Sequence, residues 1–382
     1  MNAVIWENTA LIDSGNASTH AIVIGVGEYP HLVDGNGQLT PKNGGLKQLS
    51  SPPVSAFAFA TWMLNDFNNL DAPLASLSLL VSDANHRQFT DPKLQSPVTP
   101  STADSTNVVS ALRAWKKKGD TNEDNLMLFF FCGHGVARGL EGLSLLLRDY
   151  GAIPDMPMEG ALDFAAFQRG MAQCAASRQC FFVDACRQVS DIVRNTNESG
   201  KSVIQDDINR PFQSDWNYAI LYSTVEGESA YGRLDKPSYY TEELIRGLNG
   251  TAANNRNANG QWRVGTSDLN LAIHHGLSRR GNKKIKNPAV RLVEFEFHMP
   301  KQDPVIPVTV FCDPKSDNAS AALSCVQRGN VIDSRDPAEE DWATELTSGI
   351  YDFMARIGPH IGNREGEIVF PPYREIKIKV PS

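Results

Sequence analysis

The sequence predicts an α/β domain with a mostly parallel central sheet and helices on both faces, followed by a small β domain. Three observations carry this. Short apolar runs recur between Ala21 and Ser223; amphipathic segments separate them; and near Pro300 the pattern changes to short period-two runs among turn residues. A strand buried on both faces reads as a continuous apolar run, and a half-exposed strand alternates.

Residues 21–27 form the first apolar run and predict the first strand. A polar, Gly-rich stretch reaches Gly45. Residues 55–67 then set Phe59, Met63 and Phe67 on one face behind Pro52 and Pro53, as a first helix would. Residues 77–81 predict a second strand, and residues 108–118 a second helix, capped by Ser105 or Thr106 and ending in lysines. Residues 126–132 predict a third strand, 143–147 a further apolar run, 164–174 a helix, 180–183 a fourth core strand and 218–223 a fifth. Helices over 239–248 and 267–277 follow. Strands alternating with helices imply right-handed crossovers, and in such folds function gathers at the carboxyl ends of the strands. Beyond Pro300, residues 305–311 and 375–380 alternate, and 342–351 reads as strand, turn and strand. The expected division is therefore an α/β domain over 1–299 and a small β-sandwich-like domain over 300–382.

The formal charge of −8 disfavours nucleic acid and anionic membranes as partners, since both are negative. The one basic stretch, Arg279, Arg280, Lys283, Lys284 and Lys286, lacks interleaved aromatics and reads as a solvated loop. Neither a secretory leader nor an apolar stretch of membrane-spanning length is apparent, so the expectation is a cytoplasmic protein with reduced cysteines. Cys174, Cys180 and Cys186 are spaced too widely for zinc pairs. Gly25 and Gly27 open a dinucleotide fingerprint that Pro30 interrupts. No metal and no cofactor is expected.

Two buried strands end in reactive residues. Phe129-Phe130-Phe131-Cys132-Gly133-His134-Gly135 and Phe181-Phe182-Val183-Asp184-Ala185-Cys186-Arg187 would emerge at one sheet edge. A cysteine becomes a good nucleophile as its thiolate, and a nearby histidine can hold that thiolate and later protonate a leaving amine. Glycines on both sides of His134 would let the backbone bend and leave N–H groups facing an oxyanion. His134 precedes Cys186 by 52 positions, in line with the roughly 50-residue interval of caspase catalytic pairs.

These motifs resemble those of caspases, metacaspases and bacterial caspase-like peptidases. His134-Gly135 follows one apolar strand and Asp184-Ala185-Cys186-Arg187 the next, while residues 221–231 look like the strand leading into the family's substrate-binding loop. The likeness covers roughly residues 20–290. It implies a caspase-like fold, Cys186 as nucleophile, His134 as acid and base, and the N–H groups of Gly135 and Cys186 as oxyanion hole. Asp184 is left with three readings: lining the substrate pocket, orienting His134, or making a structural hydrogen bond. Glu226 and Glu228 fall where the family's recognition loop meets the residue before the cut, and two carboxylates there would favour Arg or Lys. The chain departs from metacaspases at Ser55, where they carry another pocket aspartate, and this leaves a neutral or small apolar pocket open.

The polar segment between Arg187 and Trp216 suits a flexible loop, about 188–215, that is self-cleaved or orders the site. The expected activity is that of a cysteine endopeptidase acting on protein or peptide substrates. By analogy with bacterial relatives it would be switched on by a small-molecule signal or a regulatory protein, in stress or antiviral cell death. The alternative is a catalytically weak caspase-fold scaffold acting through its C-terminal domain.

Overall fold

The computed structural model describes residues 3–138, 142–185, 188–189, 200–204, 216–223, 233–280 and 291–381. In chain order, the first ten strands are β1 (Val4–Glu7), β2 (Thr19–Val26), β3 (Leu74–Ser82), β4 (Leu126–Gly133), β5 (Gly135–Arg138), β6 (Gly142–Leu146), β7 (Ala161–Asp163), β8 (Arg178–Ala185), β9 (Gln188–Val189) and β10 (Asn217–Tyr222). They are followed by β11 (Asn255–Arg256), β12 (Trp262–Gly265), β13 (Arg291–Leu292) and β14 (Glu296–His298). The helices are α1 (Thr9–Asp13), α2 (Ser51–Asn65), α3 (Ser105–Gly119), α4 (Phe164–Met171), α5 (Tyr239–Arg246) and α6 (Thr266–Arg279).

By its contacts the chain divides into two units: Met1–Ile245 with Leu277–Phe297, and Arg246–Gly276 with His298–Ser382. The first holds a seven-stranded sheet of order β1-β3-β2-β4-β8-β10-β13. Its five inner strands are parallel, and the two edge strands β1 and β13 run antiparallel. The fold is therefore α/β with a mixed sheet, as the continuous apolar runs imply: β2 and β4 are buried throughout. In chain order the parallel strands lie 2-1-3-4-5, so the winding reverses between β2 and β4. A crevice for ligands forms at the carboxyl ends of strands beside such a switch point.

Helices cover both faces. On one, Phe59 of α2 stacks on Phe130 of β4 at 4.7 Å and leans on Phe182 of β8 at 5.7 Å. On the other, Trp115 of α3 and Phe167 of α4 meet Phe129, and Phe167 also meets Phe181. Both faces of β4 and β8 are thus aromatic, which fixes the height of the two strand ends. Helix α2 starts with Pro52 and Pro53 in its first turn, where a missing N–H costs nothing. For α3 the cap is Asp104, not the expected Ser105 or Thr106. Its carboxylate accepts from Asn107 N at 2.9 Å, while Ser105 Oγ is drawn to Asp149 at 2.5 Å.

The second unit is a β-sandwich of β15 (Val305–Cys312), β16 (Ala322–Gln327), β17 (Asn330–Arg335), β18 (Trp342–Thr347), β19 (Gly349–Ile357), β20 (His360–Val369) and β21 (Arg374–Ile378). Its sheets, β18-β15-β21 and β17-β16-β19-β20, enclose Ile306, Val308, Val310, Leu323, Phe353 and Ile376. The expected strand, turn and strand over 342–351 is present, but β18 and β19 belong to different sheets, so the chain crosses the sandwich at Ser348. Residues 246–276, read from sequence as part of the α/β domain, group with this unit. Arg246 pairs with Glu345, Trp262 Nε1 donates to Asp303 at 2.8 Å, and the Trp262 ring meets Phe370 at 5.4 Å. Among the described residues, no helix is long and apolar enough to cross a membrane.

Candidate active site

At the switch point, β4 runs directly through Gly133 into His134 and the β5–β6 hairpin. The register of the neighbouring parallel strands pairs Cys132 with Asp184 and Gly133 with Ala185. These last two residues immediately precede His134 and Cys186 in the chain. Cys186, Glu226 and Glu228 lie outside the described residues.

His134 is buried and is held at two points by the segment that the sequence shows only as polar and Gly-rich. Its peptide N–H donates to the Tyr29 hydroxyl at 2.8 Å, and its Nε2 lies 2.7 Å from the Lys47 carbonyl oxygen. A carbonyl only accepts, so Nε2 carries the hydrogen and Nδ1 is the basic nitrogen of the neutral ring. The Tyr29 ring leans on the imidazole with centroids 4.9 Å apart. Burial pulls the imidazole below its ordinary pKa, and the Lys47 carbonyl opposes the shift by favouring the charged ring.

The glycines flanking His134 act differently from the bend expected of them, since neither takes a positive φ. A Cβ on Gly133 would stand 2.9 Å from the Tyr29 hydroxyl, so this glycine makes room for the oxygen that receives the His134 N–H. Gly135 pairs with Leu145 in the β5–β6 ladder, and Leu146 N donates to the His134 carbonyl at 2.9 Å. That bond makes Gly135 and Leu145 a non-hydrogen-bonded pair, so the Gly135 N–H points away from β6, to the side on which β9 pairs.

Residues 27–49 close on themselves: Leu49 N donates to the Gly27 carbonyl at 2.9 Å, and Val33 N to Leu46 O at 3.0 Å. A Cβ on Gly27 would lie 2.3 Å from Leu49 O, so only glycine admits this closure. Sequence reasoning missed Tyr29 and Lys47. A main-chain carbonyl has no residue signature; a tyrosine two positions beyond a core strand was the one available signal.

Asp184 lies on the α2 side of the sheet with its carboxylate buried. Ser238 Oγ donates to Oδ2, as do Thr241 Oγ1 and Cys132 Sγ, each at 3.2 Å. Burial pushes this carboxyl upward, opposed by the bonds from Ser238, Cys132, Ser223 and Thr241. Ser55 adjoins the same cluster, because its hydroxyl accepts from Ser238 N at 3.0 Å. The two positions picked out in the sequence, Ser55 and Asp184, are thus joined through Ser238. The partner that orients the imidazole is the Lys47 carbonyl. Residues 233–238 are tied to the start of α2 by two further bonds, Ser51 Oγ to Lys236 O at 2.8 Å and Asp235 N to Ser50 Oγ at 3.1 Å.

The five described cysteines are buried and unbridged. Burial drives Cys174 and Cys325 up to about 12 and raises Cys180 and Cys312 as well, so these thiols stay protonated and unreactive at neutral pH. Among the described residues no group of His, Cys, Asp and Glu is arranged to hold a metal ion.

The sequence model of a family described as Caspase domain matches residues 62–262. A protein of Sinorhizobium fredii, the uncharacterised protein y4kE, is 28% identical over 212 residues, which are 54% of this chain and 58% of that relative. The chain therefore spans less than two thirds of that relative's length. Among solved structures, caspase-1 from Spodoptera frugiperda is similar with a TM-score of 0.39 and 12% identity, covering 75% of this chain and 88% of its own. Protein GSU0716 from Geobacter sulfurreducens is similar with a TM-score of 0.39 and 14% identity, covering 74% and 95%.

Proposed function

The chain belongs to the caspase-domain family, and from that premise we propose that it is a cysteine endopeptidase in which Cys186 is the nucleophile and His134 the general acid and base. The observation that carries this reading is the strand register. Gly133 pairs with Ala185, so the residues next in sequence are His134, already held as its Nε2–H tautomer, and Cys186. The upward shift of the Cys174, Cys180, Cys312 and Cys325 thiols supports the same choice of nucleophile.

The chemistry then follows. His134 Nδ1 takes the Cys186 thiol proton, and the thiolate adds to the scissile carbonyl. The oxyanion receives the N–H groups of Gly135 and Cys186. As the C–N bond breaks, the imidazolium returns its proton to the leaving amine, and an acyl-enzyme remains. Water loses a proton to His134, adds to the thioester carbon, and the C–S bond breaks to restore the thiol once His134 gives the proton back. The Lys47 carbonyl stabilises the imidazolium in both halves.

Protein or peptide substrates with Arg or Lys before the cut are the proposed class, recognised by Glu226, Glu228 and Asp184. The burial that raises Asp184 gives its carboxyl a use for a cationic side chain, which would favour its charged form. The setting is a signal- or partner-activated effector in stress or antiviral cell death, a reading from family analogy. An acyloxymethyl ketone should label the protein at Cys186, and Cys186→Ala and His134→Ala should each abolish labelling and peptide cleavage. Undiminished labelling of both variants would sink the pair. A peptide-library profile that avoids Arg and Lys would remove the basic preference while leaving the pair intact. Activity unchanged by cell extract or small-molecule signals would count against activation.

A further inference from the structure

We propose that Gln48 is a positioning residue for His134, acting as the clamp that ties together the two points at which the histidine is held. Its side-chain amide is fully engaged with the main chain opposite. Tyr29 N donates to Gln48 Oε1 at 2.7 Å, and Gln48 Nε2 donates to Tyr29 O at 2.8 Å and to Val33 O at 3.1 Å. One amide therefore grips both backbone groups of the residue whose hydroxyl receives the His134 N–H. It does so from the position next to Lys47, whose carbonyl receives the imidazole Nε2–H. Val33, the third anchor, bridges to Lys47 itself, with Val33 N donating to Leu46 O at 3.0 Å.

The geometry has a consequence for the ring. The imidazole plane and tautomer depend on where the Lys47 carbonyl stands relative to the end of β4. That carbonyl lies on a loop of more than twenty residues whose own ends close at Gly27 and Leu49. Loops of this kind are the softer part of a fold. Without the Gln48 amide, the Tyr29 and Lys47 sides of the loop lose three bonds that hold them in register, and Nδ1 is free to swing from its line of attack. A misplacement of about 1 Å can cost on the order of 100-fold in rate.

The catalytic part rests on the reading of His134 as acid and base, so the test includes a measurement that does not need activity. Gln48→Met keeps length and volume without the amide, and Gln48→Glu keeps the acceptor for Tyr29 N–H but not the donor. Asn43→Ala is the control. It removes bonds to Thr40 O and from Gly45 N elsewhere in the same loop. With a peptide that the wild type cleaves, both Gln48 variants should lose about 10- to 100-fold in kcat. KM should stay within about twofold, and the thermal midpoint should fall no further than in Asn43→Ala, which keeps its kcat. Nitrogen-15 spectra of the His134 ring above its pKa should show the Nε2–H tautomer in the wild type and a mixture of tautomers in Gln48→Met. An unchanged kcat, a loss that merely follows the thermal midpoint in all three variants, or an unmoved tautomer overturns the proposal. If the wild type cleaves no peptide, the peptidase reading has failed and the tautomer spectrum alone decides for or against Gln48.

Discussion

Tyr29→Phe removes one oxygen and leaves the ring on His134, so its cost can be worked from named bonds. The hydroxyl is fully buried, receives the His134 N–H at 2.8 Å and reaches the Leu146 carbonyl only at 3.4 Å. The second contact is long enough to contribute little. The first matters because a buried N–H stripped of its acceptor forfeits hydration without recompense, which costs about 1–3 kcal/mol. Ring packing is unchanged, so no cavity term of the kind that follows a large-to-small substitution adds to this. Urea unfolding of the first unit, followed through its buried Trp62 and Trp115, should lose about 1–3 kcal/mol in the variant. Amide exchange of the peptide spanning Gly133 to Gly135 should accelerate beyond that of the β2 strand. A loss under about 0.5 kcal/mol with unaltered exchange would refute the reasoning, by showing that the His134 N–H finds another acceptor.

Two further predictions concern pH. His20, enclosed between Ser18 and Ser76, has its pKa lowered from 6.5 to about 4 by burial and then by the charge of Lys118. The unfolded chain therefore binds this proton first, and the stability it represents is complete above pH 6.5 and lost as pH falls from there toward 4. Between pH 7.5 and 5.0 the loss amounts to about 2 kcal/mol, which His20→Gln should not show; parallel losses in the two proteins would refute it. Asp184 has the opposite sign, because burial raises its pKa in the folded state. Its stability contribution declines as pH rises from the unfolded value of 3.8 through the folded one, at a slope of up to about 1.4 kcal/mol per pH unit. Asp184→Asn, measured by urea unfolding between pH 4 and 7.5, should flatten that decline; curves of equal slope would show that the carboxyl stays ionised.

The apolar runs that locate β2, β3, β4, β8 and β10 were legible because burial on both faces selects mostly apolar residues, and each run sits within two or three residues of its strand. Edge strands were not. Val4–Glu7 and Arg291–Leu292 pair on one side only, are short, and mix apolar with charged residues, so neither periodicity nor length marks them. The contact grouping of residues 246–276 with the second unit was not visible for a related reason. Their helical patterning resembles that of the first unit, and the bonds that attach them to the sandwich, Arg246 to Glu345 and Trp262 to Asp303, join positions about 100 and 40 apart. No local pattern encodes a partner at that distance.

The site divides along the same line. His134 was visible because a reactive side chain stood at the end of an apolar strand between glycines, and Asp184 because it lay in a run that should otherwise have been apolar. What holds them was hidden. Asp184 is wrapped by Ser238, Thr241 and Cys132, three common residues from other elements. His134 depends on a hydroxyl at Tyr29 and a main-chain oxygen at Lys47, both within a segment that composition alone describes as polar and Gly-rich. That segment follows the first strand at the switch point, where the winding of the sheet reverses, so topology brings its two ends beside the end of β4. A polar loop leaving the carboxyl end of a strand at a switch point should therefore be read for the main-chain groups it can present to the neighbouring strand end, and not only for its side chains. Here that reading turns a stretch without motifs into the part of the chain that sets the tautomer of His134.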